Sequence, residues 1–370
     1  MLWRMTGRVR IVFLALWVAA AAASQPSGGV LQEVLDRARA DSGTPGASAA
    51  IMTDGGLVWQ GFSGKADLET GAPVTDTTLY SLASVTKTFT STMILRLYEE
   101  GRIGLDDFIQ PYVPAYMPST GEVTVRDLLG MTSGYQDVEG FPIILKWLNN
   151  PNHLWTRPQI LRRVRPTIFK PGTRYQYSNT NYVILGGIID ALSPLRIGGE
   201  FDRLIVQPVG LAGEAFFVRD PSAAGRIAHG YNLQRGERVD TFAGAELLGV
   251  PTSVWGVMWT DGGIAATAYG VARFTDALFG GRILQPATLA MMIEPGPGGQ
   301  YGLGTYSMAF DGHQWQGNEG YYNGFTTVTM YDFSRKLTVT VLANFTDNLD
   351  PASLIWYQLA AAYDRMPATP

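Results

Sequence analysis

The chain has 370 residues, 46% hydrophobic and 16% charged, with a formal net charge of −4, so it can bury a large core as one domain or as two lobes. It contains no cysteine, which excludes disulfides and a cysteine hydrolase and leaves stability to core size. The acidity is mild and spread out, and the one basic cluster, Arg162, Arg163 and Arg165, reads as a solvated helix face, so nucleic acid is not an expected partner.

In chain order, Arg4, Arg8 and Arg10 precede an apolar run from Ile11 to Ala23 that gives way to Gln25-Pro26-Ser27-Gly28. This pattern predicts a signal peptide over 1–24, cut near Ala23 or Ser24, and hence an exported protein, periplasmic or extracellular. The run is shorter than the roughly 20 residues that cross a bilayer, so no stable membrane span is expected after cleavage. Loss of the three arginines moves the net charge from −4 to about −7. Val30 to Arg39 is helix-like, and Ala47–Met52 with Leu57–Phe62 reads as a hairpin turned at Asp54-Gly55-Gly56.

Tyr80-Ser81-Leu82-Ala83-Ser84-Val85-Thr86-Lys87 follows. Phe89, Met93 and Leu97 recur every fourth residue and Gly101 closes the run, which predicts a helix starting at Ser84. Residues three apart are neighbours on a helix, so the Ser84 hydroxyl and the Lys87 amine share a face. At a helix N-terminus, unpaired N–H groups and the macrodipole favour a developing alkoxide and reduce the cost of a neutral lysine. A serine cap beside a solvated lysine is the plainer alternative, but no acid occurs from Lys87 until Glu99, the pattern of a buried helix.

Short apolar-periodic stretches continue at Val125–Leu129, Ile143–Leu148, Gln159–Val164 and Tyr182–Leu192, between loops rich in Pro, Gly and Asn. Ahead of the last of these, Tyr177 and Asn179 stand two apart after the turn at Lys170-Pro171-Gly172. In an extended loop such side chains point the same way, so a phenol and an amide can enter one cavity. Tyr177 is then a candidate base toward Ser84 and acid toward a leaving group; as a loop tyrosine it could equally pack on the helices, with Asn179 as a cap. Strands resume at Thr305–Phe310, Phe325–Tyr331 and Leu337–Leu342, and Ala352–Tyr363 ends the chain as a helix. Gly317-Asn318-Glu319-Gly320-Tyr321-Tyr322-Asn323-Gly324 leads into the second of these strands; its glycines suit either close backbone approach to a ligand or a simple β-turn.

Strands at both ends and helices between predict one α/β lobe from the two termini, about 29–83 and 265–365, with a helical lobe of about 84–264 inserted and a cleft at their boundary. His153, His229 and His313 lack metal-ligand spacing. No phosphate-binding glycine loop, dinucleotide fingerprint or Gly-x-Ser-x-Gly elbow occurs, so neither metal nor cofactor is expected.

Ser84-x-x-Lys87, Tyr177-x-Asn179 and the 318–320 stretch, in this order, resemble the serine β-lactamase and penicillin-recognising DD-peptidase superfamily. Leu128-Leu129-Gly130-Met131-Thr132-Ser133-Gly134-Tyr135 and Asp261-Gly262-Gly263-Ile264-Ala265-Ala266-Thr267-Ala268 are similar to further segments of its class C and D-Ala-D-Ala carboxypeptidase branch. The resemblance implies an α/β fold of antiparallel sheet flanked by helices, with an inserted all-helical lobe and the active site in the cleft between them. It implies Ser84 as acylated nucleophile, Lys87 and Tyr177 as joint base and relay, and Asn179 as a substrate-positioning amide. Asn318, Gly320 and Tyr321 would lie along the substrate, with the N–H groups of Ser84 and Tyr321 holding the oxyanion. The implied substrate is a small peptide, amide or ester, including cell-wall fragments, cleaved in the manner of a D-alanyl-D-alanine carboxypeptidase; a carboxylesterase and a non-catalytic ligand-binding homologue are the alternatives. The third motif departs from the pattern, with Asn318 in place of Lys or His and Glu319 in place of a small hydroxyl residue, which disfavours anionic substrates.

Overall fold

A computed structural model of the chain describes residues 26–138, 155–217, 220–223, 225–241, 246–247, 250–251, 258–347 and 350–366. The signal segment 1–24 and the stretch Ile143–Leu148 lie outside them. Six strands form the main sheet: β1 (Gly46–Thr53), β2 (Gly56–Gly64), β3 (Tyr306–Phe310), β4 (His313–Tyr322), β5 (Phe325–Asp332) and β6 (Leu337–Ala343). Their order is β3-β4-β5-β6-β1-β2, every pair antiparallel. Asp54 and Gly55, at φ 47° and 87°, make the left-handed two-residue turn that the Asp-Gly pair predicts. Pairing of β1 with β6, from Ala47 opposite Ala343 to Thr53 opposite Leu337, joins the two ends of the chain in one sheet.

Five helices position the site: α1 (Pro26–Asp41), α2 (Thr86–Glu99), α3 (Asn179–Leu192), α4 (Ala268–Phe279) and α5 (Pro351–Asp364). The pleat sorts the sheet's side chains. Ala47, Ala49 and Ile51 face the side covered by α1 and α5, in a cluster with Leu31, Leu35 and Trp356. The Trp356 indole donates to the Val339 carbonyl at 3.0 Å, and its ring meets Trp315 edge-on at 4.9 Å. Ala50, Met52 and Leu342 face the opposite way and join a larger core shared with α2, α3 and α4. Helix α2 runs through that core with Thr86–Leu95 and Leu97 buried, and Phe89 stacks on Phe274 of α4. This burial accounts for the missing acids.

Between the two halves of the sheet the chain is helical, but it also carries short strands. Tyr80–Ser81, Ile264–Ala266 and Ala215–Phe217 form a small sheet of their own. At two or three residues each, they are too short to leave an alternating pattern in the sequence. Strand β4 is the larger departure, because the glycine-punctuated stretch at 317–322 lies within a ten-residue strand and only Asn323-Gly324 turns the chain.

Trp356 anchors the layer of α1 and α5. Trp356→Ala is expected to cost about 3–5 kcal/mol through cavity formation, read as a lowered urea midpoint with an unchanged slope.

Candidate active site

Ser84 sits in a single 3₁₀ turn, Ala83–Val85, that runs directly into α2. The turn is held from several sides. Leu82 donates its N–H to Ile264 at 2.8 Å, its carbonyl accepts from Thr327 Oγ1 at 2.9 Å, and Ile264 N–H reaches Thr86 Oγ1 at 3.2 Å. Ala83 adopts φ 46°, a left-handed conformation that costs an L-residue on the order of 1 kcal/mol and persists only where the surroundings fix it.

Across the 3₁₀–α junction, Lys87 Nζ donates to Ser84 Oγ at 3.0 Å and to the Asp261 carbonyl at 2.7 Å. Lys87 is 1% exposed, with its amine 5.0 Å from the ring centroid of Tyr177 and 5.8 Å from that of Tyr182. The phenol oxygen of Tyr177 lies 2.6 Å from Ser84 Oγ. The Ser84 hydroxyl is therefore bracketed by two groups able to take its proton, one buried and one at the mouth.

Tyr177 is delivered by a loop pinned to the 131–134 segment. Gln176 N–H donates to the Met131 carbonyl at 2.9 Å and Gly172 N–H to the Thr132 carbonyl at 3.0 Å. Ser133 Oγ donates to Asn181 Oδ1, and Asn181 Nδ2 returns to the Ser178 carbonyl at 3.1 Å, tying that segment to the start of α3. The Leu128–Tyr135 stretch thus acts on the site through the loop's backbone.

Opposite Ser84 runs β4. A Cβ on Gly320 would lie 2.3 Å from the Leu82 carbonyl oxygen and 3.0 Å from Ser84 N, so only glycine permits this approach. In the ladder, Tyr322 opposite Phe325 flanks a two-residue turn and Tyr321 opposite Thr326 is the next pair. Alternation in an antiparallel ladder then turns the N–H and C=O of Tyr321 away from β5, toward the cleft. That N–H and the Ser84 N–H are suited to hold an oxyanion.

The cleft is a cavity of about 490 Å³ bordered by Ser84, Tyr177, Tyr306, Asn318, Glu319 and Tyr321, within the usual range for a small-molecule site. Asn318 is buried, and its amide is engaged with Thr88 Oγ1 at 3.1 Å, the Gly304 carbonyl at 3.3 Å and Glu319 N–H at 3.0 Å. Its side chain therefore fastens β4 to α2. Asn179 Nδ2 donates to Asp137 Oδ2 at 3.0 Å on the helical side. Glu319 is an exposed residue overall, but the protein packed around its carboxyl, together with the neighbouring Asp350, raises that group above the usual glutamate range, against a lowering interaction with Tyr306.

Two participants are absent from the sequence-based set. The Asp261 carbonyl is a backbone group, flagged only by the Asp261-Gly262-Gly263 segment. Tyr182 reads as one more apolar position of a helix. Its hydroxyl bonds Ser91 Oγ and the Leu129 carbonyl, and burial pushes that phenol up, so it stays neutral beneath Lys87.

A serine, a lysine one helical turn on and a tyrosine from a loop, set between an antiparallel sheet and a helical region, form the arrangement of Ser-x-x-Lys proteins. Residues 31–364 match the family model described as Beta-lactamase, and the chain belongs to that family. It is 30% identical over 204 residues to the esterase EstB of Burkholderia gladioli, a match covering 52% of each chain. The matches span about half the length, or less, of the curated relatives. Among solved structures it is similar to the octameric penicillin-binding protein homologue from Pyrococcus abyssi, with TM-score 0.76, 26% identity, and 91% of this chain and 77% of that one covered. It is also similar to the D-amino acid amidase from Ochrobactrum anthropi SV3 complexed with D-phenylalanine, with TM-score 0.76, 25% identity, and 92% and 99% covered.

Gly320→Ala is expected to push β4 off the nucleophile turn and slow labelling of Ser84 by a fluorophosphonate about 100-fold. Labelling at the wild-type rate would show that the close approach is dispensable.

Proposed function

We propose that the protein is a serine hydrolase that cleaves amide or ester bonds of small substrates through an acyl-Ser84 intermediate. The observation that carries this reading is the Ser84 hydroxyl held at once by Tyr177 Oη at 2.6 Å and Lys87 Nζ at 3.0 Å, at the edge of a cavity. Ser84 Oγ attacks the substrate carbonyl while its proton passes to the Lys87–Tyr177 pair. The oxyanion lies between the N–H groups of Ser84 and Tyr321. Tyr177, at the mouth, returns the proton to the departing amine or alcohol. Water then attacks the acyl-enzyme by the reverse proton path, giving the carboxylic acid and free Ser84.

D-amino-acid derivatives are the substrates this reading favours, in keeping with the likeness to a D-amino acid amidase. D-alanyl-D-alanine carboxypeptidase action is the related activity; it needs a cation for the terminal carboxylate, and among the described residues bordering the cavity there is no lysine, arginine or histidine. The same observation supports carboxylesterase action on neutral esters as a second reading, in line with the likeness to EstB.

Intact-mass analysis after fluorophosphonate or penicillin treatment is expected to give one adduct on the wild type and none on Ser84→Ala. No adduct with either reagent would favour a ligand-binding homologue. Tyr177→Phe is expected to lower kcat by 10²–10⁴-fold while leaving the thermal midpoint within a few degrees. D-alanine p-nitroanilide, p-nitrophenyl acetate and a D-Ala-D-Ala peptide, compared by kcat/KM, separate the amidase, esterase and carboxypeptidase activities.

A further inference from the structure

We infer that Glu319 is a specificity residue that receives an ammonium group of the substrate, so that the enzyme acts on amine-bearing amides or esters in which the ammonium lies a few bonds from the scissile carbonyl. This rests on the hydrolase reading above and adds the substrate class.

The first support is position. Glu319 is one residue before Gly320, whose backbone touches the Ser84 turn, and two before Tyr321, whose N–H faces the cleft. Two residues of strand span about 6–7 Å. A carbonyl held at Tyr321 therefore brings a substituent two or three bonds away within hydrogen-bonding reach of the Glu319 carboxyl.

The second support is the character of the wall. Glu319 borders the cavity together with Tyr175, Tyr301, Tyr306 and Tyr321, and it is the one carboxylate among the described lining residues. No cationic side chain is among them. Phenol faces and a carboxylate are the groups that stabilise an ammonium in a partly dry site, by cation–π attraction and a charge-assisted hydrogen bond. A substrate carboxylate placed there would meet repulsion instead.

The third support is what surrounds the carboxyl. Tyr306 of β3, Asp350 at the N-cap of α5 and Tyr357 on α5 all act on it electrostatically. Asp350 is itself raised by burial. An arriving ammonium lowers the cost of holding both carboxylates ionised, whereas a neutral group leaves that cost in place. The pleat completes the division of labour on β4: Asn318 turns to Thr88 of α2, and Glu319 turns to Tyr306 and the end of α5.

The test compares kcat/KM in matched pairs, with the amine on either side of the bond. D-alanine p-nitroanilide is set against its N-acetyl form, and the acetate ester of 2-aminoethanol against ethyl acetate, the esters followed by pH-stat. The wild type is expected to prefer the amine in at least one pair by about 10–100-fold, the worth of one charge-assisted hydrogen bond. Glu319→Gln is expected to reduce that ratio to within about threefold of unity, and Glu319→Lys to shift preference toward the N-succinyl form of the anilide. Fluorophosphonate labelling of Ser84 in each variant separates the two levels. If the wild type is not labelled, the hydrolase reading fails; if all are labelled and no amine preference exists, or Glu319→Gln retains it, only the role of Glu319 falls.

Discussion

The backbone of β4 passes the turn at Leu82–Ser84 with no side chain between them, and the rest of the site is arranged around that contact. Gly320 is required there because a single methyl would meet the Leu82 carbonyl at 2.3 Å. The approach sets the edge of a six-stranded sheet against the nucleophile, so the N–H facing the cleft at Tyr321 inherits the sheet's rigidity. It also explains how Ala83 is kept at φ 46°. The turn cannot relax away from β4, because Leu82 is hydrogen-bonded to Ile264 on one side and Thr327 on the other.

The lysine depends on a different constraint. Lys87 lies in the first turn of a helix whose residues from Thr86 to Leu95 are all buried, so its amine must find partners inside the protein. Two that position it, Ser84 Oγ and the Asp261 carbonyl, come from opposite ends of the intervening chain. The rings of Tyr177 and Tyr182 stand over it. Helix α2 therefore orients the amine through packing rather than through a surface ion pair, and Phe89 stacked on Phe274 extends that packing to α4 beneath the sheet. The Ser84–Lys87 geometry is in this sense a property of the core.

What could be read from the sequence divides along the same line. The hairpin turn at Asp54-Gly55, the run of α2 and the closing helix carry local signals: left-handed turn chemistry, four-residue spacing and a glycine stop. The Ser84–Lys87 and Tyr177 side chains were legible because each is a reactive type at a spacing that chemistry uses. Strand β4 was not, since Gly317, Asn318 and Gly320 interrupt the apolar alternation that marks a strand; Asn318 and Gly320 are the positions where it meets α2 and the Ser84 turn, and Gly317 is packed against β5. The Asp261 carbonyl has no side-chain signature at all. Asn318 was visible as a departure from a motif, but its three hydrogen bonds to Thr88, Gly304 and Glu319 N–H depend on contacts up to 230 residues apart in the chain.

Machinery and selectivity are thus borne by separable parts of the protein. The groups proposed to make the bond come from the turn at the start of α2, the loop pinned to the 131–134 segment and the backbone of β4, and each is fixed by contacts within the protein. The charge of the cleft wall comes from side chains that project from the sheet's edge toward α5. Asn318 and Glu319 are adjacent and both border the cavity, but their side chains take different surroundings, Asn318 hydrogen-bonded to Thr88 and Gly304 and Glu319 beside Tyr306. Placing glutamate where an uncharged residue would stand at 319 adds a negative field at a bound substrate without touching Ser84, Lys87 or Tyr177. A family that attacks its bond with one set of groups can in this way change its substrate at a neighbouring residue on the same strand, provided that the residue between them and the nucleophile turn remains glycine.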